Sequence, residues 1–62
     1  MKNRIRQLRE EHKLSQGDLA ARCRVSRQTI NAIENNKYDP TLELAFRLAS
    51  VLGVKVDELF IY

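Results

Sequence analysis

A chain of 62 residues has room for one domain, and at that size folding buries only ~60% of the surface that the unfolded chain exposes, which argues against an enclosed catalytic cavity and for self-association as a way to add core. Eleven Lys and Arg against eight Asp and Glu give a net charge of +3, a bias that suits a polyanion without demanding one. The single cysteine, Cys23, excludes an internal disulfide, and with His12 as the only histidine there is no ligand set for structural zinc.

The expectation is a cytoplasmic chain with no metal and no cofactor. No apolar run approaches the ~20 residues of a membrane span, and the first residues are charged rather than signal-like. Lys2, Arg4, Arg6, Arg9 and Lys13 come early and Arg22, Arg24 and Arg27 follow, so the basic side is expected in the first half.

From Asn3, Ile5 and Leu8 fall on one face of a charged background that runs through Lys13, which predicts a first, exposed helix. Leu14 follows as a buried plug. Ser15 with Asp18 three residues on makes a capping box in which Asp replaces the usual Glu or Gln, and it opens a second helix whose stripe is Leu19, Ala20 and Cys23. Arg24 and Val25 separate that helix from Ser26, an N-cap for a third over 26–35.

In the third helix Ile30 and Ile33 are the large apolar residues and must face the core, which leaves Arg27, Gln28, Asn31 and Ala32 on other faces. Asn35 and Asn36 end it, because Asn tolerates a left-handed backbone. Lys37 through Pro40 form a loop, since Pro40 biases Asp39 away from helical dihedrals. Thr41 caps a fourth helix in which Leu42, Ala45, Leu48, Ala49 and Leu52 recur at helical spacing, widened by Leu44 and Val51, and Gly53 closes it. The tail from Val54 reads either as a short strand or as a helical turn; a fifth helix over Val56 to Phe60, with Ile61 and Tyr62 extended, is preferred.

Two short capped helices joined by a tight turn, the second turning polar side chains outward, fit a helix-turn-helix at about 15–35. With LSQ opening the second helix, VSRQTI opening the third and a Glu-Asn pair closing it, the chain resembles the lambda-repressor and Cro type of helix-turn-helix domain, the XRE family, over nearly all of its length. That resemblance implies an all-α, compact five-helix bundle occupying 1–62 as one domain. It implies a sequence-specific DNA-binding transcriptional regulator, a repressor or autoregulator that binds double-stranded DNA as a homodimer on a near-palindromic operator.

The resemblance also assigns residues. Arg27, Gln28, Asn31 and Ala32 fall at base edges; Gln16, Thr29, Asn35, Lys37 and Tyr38 fall at or near phosphates, with Gln16 also bracing Gln28; Arg9 and Glu34 form an ion pair between the first and third helices. Bidentate chemistry agrees independently, because Gln matches the N6 and N7 edge of adenine and Arg matches O6 and N7 of guanine. The chain departs from the family at Arg24 and Asn36, both usually Gly, and at Cys23, usually Leu. A left-handed backbone at Arg24 costs of order ~1 kcal/mol.

Plainer readings stand beside these. Cys23 reads as a small buried apolar group and His12 as a solvated residue near a helix C-terminus. Glu10, Glu11, Glu43, Asp57 and Glu58 are spread over exposed faces without a cleft, and no nucleophile-base pair exists, so an enzyme is not expected. Phe46, Phe60, Ile61 and Tyr62 either finish the core or, for Phe60, Ile61 and Tyr62 in particular, form a dimer seam. Two recognition helices must lie ~34 Å apart to enter successive major grooves. The competing function is a protein-interaction or antitoxin-like adaptor module on the same fold.

Overall fold

Three helix starts are set by hydroxyl side chains, each accepting an amide of the first turn. Ser15 Oγ accepts the Asp18 N–H at 3.0 Å, Ser26 Oγ the Thr29 N–H at 3.2 Å, and Thr41 Oγ1 the Leu44 N–H at 3.2 Å. These caps open α2 (Gln16–Cys23), α3 (Arg27–Glu34) and α4 (Leu42–Leu52) in a computed structural model that describes residues 1–61. The Asp18 carboxylate returns the bond by accepting the Ser15 N–H at 3.0 Å, and these hydrogen bonds with Ser15 hold its pKa below the ordinary value. Ahead of them lies α1 (Ile5–Glu11), and α5 (Val56–Leu59) follows.

Four helix ends share one device. Lys13, Arg24, Asn36 and Gly53 are left-handed, with φ of 56°, 61°, 61° and 70°. At each, the left-handed residue and its successor donate their amides back to the last turn: Lys13 to Glu10 and Leu14 to Arg9, Arg24 to Ala21 and Val25 to Ala20, Asn36 to Ile33 and Lys37 to Ala32, Gly53 to Ser50 and Val54 to Ala49. This paired pattern satisfies carbonyls that a helix end otherwise leaves open. Asn36 and Gly53 behave as their sequence context predicts. Arg24 adopts the strained conformation, at ~1 kcal/mol, and Lys13 does the same without a sequence cue.

The core is assembled from Ile5, Leu19, Ala20, Cys23, Ile30, Ile33, Leu44, Leu48, Ala49, Leu52 and Leu59, with Leu8, Val25, Val51, Val54, Val56 and Phe60 packed against it. Cys23 is fully buried and burial pushes its thiol pKa up, partly offset by Arg47, so the neutral thiol fills space as expected of a small apolar group. Leu42 lies on the α4 stripe by angle, yet it is 68% exposed and Leu44 is buried instead. The stripe is therefore Leu44, Ala45, Leu48, Ala49 and Leu52; Leu42 sits in the first turn, where no neighbouring element covers it. Leu14 is half-buried rather than a buried plug.

The chain ends differ most from expectation. Lys2–Asn3 form a strand β1 and Phe60–Ile61 a strand β2, paired antiparallel with Lys2 opposite Ile61 and Asn3 opposite Phe60. The first helix thus begins at Ile5, not Asn3, and the fifth stops at Leu59, not Phe60. The pairing is continued by the Arg4 N–H, which donates to the Leu59 carbonyl at 2.7 Å. Asn3 is nevertheless a helix-start residue in function: its Oδ1 accepts the Ile5 N–H at 3.1 Å, while its Nδ2 donates to the Ile33 carbonyl at 2.9 Å. The architecture remains an all-α bundle of five helices to which this small ladder is added. Of the residues assigned to a seam, Phe60 is half-buried against the core and Ile61 is exposed; Tyr62 lies outside the described residues.

Candidate nucleic-acid interface

The helix-turn-helix is built from α2, the Arg24–Val25 turn and α3. Val25 packs onto the core and the Ser26 cap starts α3 immediately afterwards, so the angle between the two helices is fixed within three residues. Ile30 and Ile33 pin α3 from inside. Its outer face carries Arg27, Gln28 and Asn31, all exposed, and these three with Gln16 of α2 line one shallow cleft of about 390 Å³. Four residues separated by up to 15 positions are thereby gathered into one surface of amides and a guanidinium that offers both donors and acceptors.

The other assigned residues surround this surface less uniformly. Ala32 is half-buried, which leaves part of its methyl as its contribution. Thr29 is half-buried and its hydroxyl lies 3.0 Å from Ser26 Oγ, inside the cap. Asn35, Lys37 and Tyr38 are exposed where the chain leaves α3.

Behind the face lies a charged hub. The Glu34 side chain is fully buried and meets the largely buried Arg9 in two bonds, Arg9 Nε to Oε2 at 2.7 Å and Nη2 to Oε1 at 3.2 Å. Arg9 Nη1 also donates to the Leu14 carbonyl at 2.8 Å, so one guanidinium joins α1, the α1–α2 loop and α3. Gln16 Nε2 and Arg6 Nε donate to Glu34 Oε1 at 3.1 and 3.3 Å. Burial pushes the Glu34 carboxyl pKa up, but hydrogen bonds from Arg9, Gln16 and Arg6, with the Arg9 charge, outweigh it and hold the group below its ordinary value. The carboxylate stays ionised at neutral pH and keeps its donors in place.

The Arg9–Glu34 pair is where the resemblance put it. The bracing of Gln28 by Gln16 is not: the Gln16 amide donates to Glu34, and its oxygen accepts from Asn31 Nδ2 at 3.5 Å. A buried carboxylate is a stronger acceptor than a neutral surface amide, and it captures the glutamine. Sequence reasoning missed Arg6 and Asn3. Arg6 precedes Arg9 by three and so shares its helix face, a cue to a second donor; the Asn3 bond to Ile33 has no local signal.

Among the described residues no group of three or more His, Cys, Asp or Glu side chains is placed to hold a metal ion, and no helix is long and apolar enough to cross a membrane.

The fold, the two capped helices and the hub between them define a helix-turn-helix domain, and the chain belongs to that family: the helix-turn-helix model HTH_3 matches residues 5–59. Over its full length the chain is 55% identical to an uncharacterised HTH-type transcriptional regulator of Methanocaldococcus jannaschii, of which it covers 94%. Among solved structures it resembles the restriction-modification controller protein C.AhdI of Aeromonas hydrophila, with a TM-score of 0.85 and 32% identity over 92% of this chain and 86% of that one. It also resembles SinR, the master regulator for biofilm formation, in a complex with DNA, with a TM-score of 0.81 and 31% identity over 87% of each chain. The likeness to the XRE type read from LSQ and VSRQTI is borne out.

Proposed function

We propose that this chain is a sequence-specific transcriptional regulator that binds double-stranded DNA as a homodimer, each copy laying α3 in the major groove of one half of a near-palindromic operator. The observation that carries the proposal is the single surface shared by Gln16, Arg27, Gln28 and Asn31, braced from behind by an ionised, buried Glu34. Arg27 and Gln28 supply the guanine- and adenine-matching edges, Asn31 a second adenine-matching amide, and the Ala32 methyl an apolar contact for thymine. Gln16, Thr29, Asn35, Lys37 and Tyr38 are assigned to phosphate in this reading, as contacts that fix register rather than sequence. The setting is the cytoplasm, and the mode of action is repression or autoregulation.

The size of the molecule supports the dimer. The molecule measures 26 × 22 × 19 Å, and two α3 helices ~34 Å apart require two copies side by side with their seam away from α3. Exposed apolar area is available for it at Ile61 and on α4, where Leu42 and Phe46 are 68% and 59% exposed. Pro40, Leu42, Ala45, Val56 and Phe60, with Met1 and Asp39 at one side, line an adjoining, mostly apolar cleft of about 290 Å³. The same area favours the second reading, an interaction module that docks a different protein there.

The test is selection of bound duplexes from a random pool, followed by sequencing. The expected result is an inverted repeat with half-sites one helical turn apart. If the dimer neutralises about eight phosphates, log affinity falls against log salt with a slope of about −7. No enrichment together with a slope near zero overturns the proposal. Replacing Arg27 and Gln28 by Ala abolishes specific DNA binding under the first reading and leaves partner docking untouched under the second.

A further inference from the structure

The side chains around the candidate interface form a closed hydrogen-bonded circuit. Arg6 Nη2 donates to Asn35 Oδ1 at 3.1 Å, Asn35 Nδ2 donates to Asn31 Oδ1 at 3.2 Å, Asn31 Nδ2 donates to Gln16 Oε1 at 3.5 Å, and Gln16 Nε2 donates to Glu34 Oε1 at 3.1 Å. Arg6 Nε donates to that same Glu34 oxygen at 3.3 Å and closes the loop. The sense of the circuit is not arbitrary. A guanidinium only donates and a carboxylate only accepts, so the two charged ends dictate which way each of the three amides between them points. Reversing any one amide sets nitrogen against nitrogen at one neighbour and oxygen against oxygen at the other.

We infer that Arg6, on α1 and outside the helix-turn-helix, is a positioning residue for base readout by Asn31. Within the circuit Asn31 keeps one free N–H and one free lone pair, with its nitrogen held toward Gln16 of α2 and its oxygen toward Asn35 at the end of α3. An unrestrained asparagine on a helix surface flips and offers donor and acceptor in either order. A restrained one offers a single order, and the adenine edge, with its N6 donor and N7 acceptor, distinguishes the two. Arg6 thus acts on specificity through Asn35 without touching DNA. It is half exposed, so its replacement leaves the core intact.

The inference rests on the reading that Asn31 faces base edges, and the experiment separates the two. Side-chain NH2 resonances of Gln16, Asn31 and Asn35 are followed by NMR in the free protein for wild type and Arg6→Lys, a variant that keeps the charge and loses the fork that spans Asn35 and Glu34. Base preferences are then measured by selection for wild type, Arg6→Lys, Asn35→Ala and Asn31→Ala. The expected result is that Arg6→Lys moves the three amide signals. It also relaxes discrimination, by about three- to tenfold, at the base pair that Asn31→Ala identifies, with the salt slope unchanged. Asn35→Ala, which opens the circuit without touching Glu34, relaxes the same base pair. Unmoved amide signals, or even weakening at all positions, overturn the positioning role while an Asn31-dependent base pair still stands. If Asn31→Ala alters no base preference, the reading of Asn31 falls and the inference falls with it, whatever the amide signals do.

Discussion

Helices α3 and α4 begin and end alike and are held in opposite ways. Both are opened by a hydroxyl cap and closed by a left-handed residue, Asn36 or Gly53. Inside, α4 is fastened by five apolar side chains, whereas α3 has Ile30 and Ile33 and completes its anchorage with the Glu34 carboxylate. Outside, the contrast inverts. Exposed α3 carries Arg27, Gln28 and Asn31, while exposed α4 carries Leu42 and Phe46 beside a Glu43–Arg47 ion pair at 3.1 Å. A helix that must present hydrogen-bonding groups is oriented by hydrogen bonds, which fix rotation about its axis; a helix that supplies bulk is held by dispersion and burial, which tolerate small rotations.

Substitutions sharpen that contrast. The largest effect is expected at Leu48, fully buried in α4: Leu48→Ala costs about 2–5 kcal/mol, comparable with the whole stability of so small a domain, and urea titration is expected to show an unfolded or barely folded chain. Next is the polar anchor. Arg9→Ala removes two of the four bonds to Glu34. A fully buried pair costs ~3–5 kcal/mol to break from one side; with Arg6 and Gln16 still in place about 2 is expected. The same urea midpoint checks it, and a loss under half a kcal/mol would show that α3 is held by its isoleucines alone.

The anchor also predicts a pH dependence. The folded-state pKa of Glu34 is lowered, so its contribution is complete above the unfolded-state value and is lost as pH falls through the folded one. Wild-type stability is expected to drop as pH falls through and below the ordinary carboxylate range, and Glu34→Gln to remove part of that slope while lowering stability at neutral pH. Thermal melts across that range decide it; identical slopes would mean that other carboxylates set acid stability.

Smaller still is the relief of strain at the non-glycine helix ends. Arg24→Gly and Lys13→Gly are each expected to stabilise by up to ~1 kcal/mol, less what glycine adds to the freedom of the unfolded chain. Smallest is the pair Leu42→Ser and Phe46→Ser, expected to shift stability by no more than ~0.5 kcal/mol. If the seam uses α4, sedimentation will show these two variants as monomers.

What the sequence revealed follows the range of each interaction. Ser15, Ser26, Thr41 and Gly53 act within four residues, and each helix boundary they mark is where local reasoning places it. The boundaries misjudged, Asn3 and Phe60, are set by a strand partner at the other end of the chain. Leu42 and Leu44 have equal claims by composition and are separated only by which neighbours cover them. At the candidate site the same rule holds. The polar face of α3 is visible because Ile30 and Ile33 leave it no other orientation, and the Arg9–Glu34 pair is visible through family resemblance. The links from Arg6 to Glu34 and Asn35 span 28 and 29 residues and are legible only once the helices are packed.

The left-handed helix ends give the chain a mutational signature of its own. At Lys13, Arg24 and Asn36 the backbone tolerates glycine and asparagine and penalises β-branched residues and proline, whatever their hydropathy. In a library covering every substitution, these positions are expected to rank residues by dihedral preference while their neighbours rank them by burial. Fitness data alone would then mark where each helix stops.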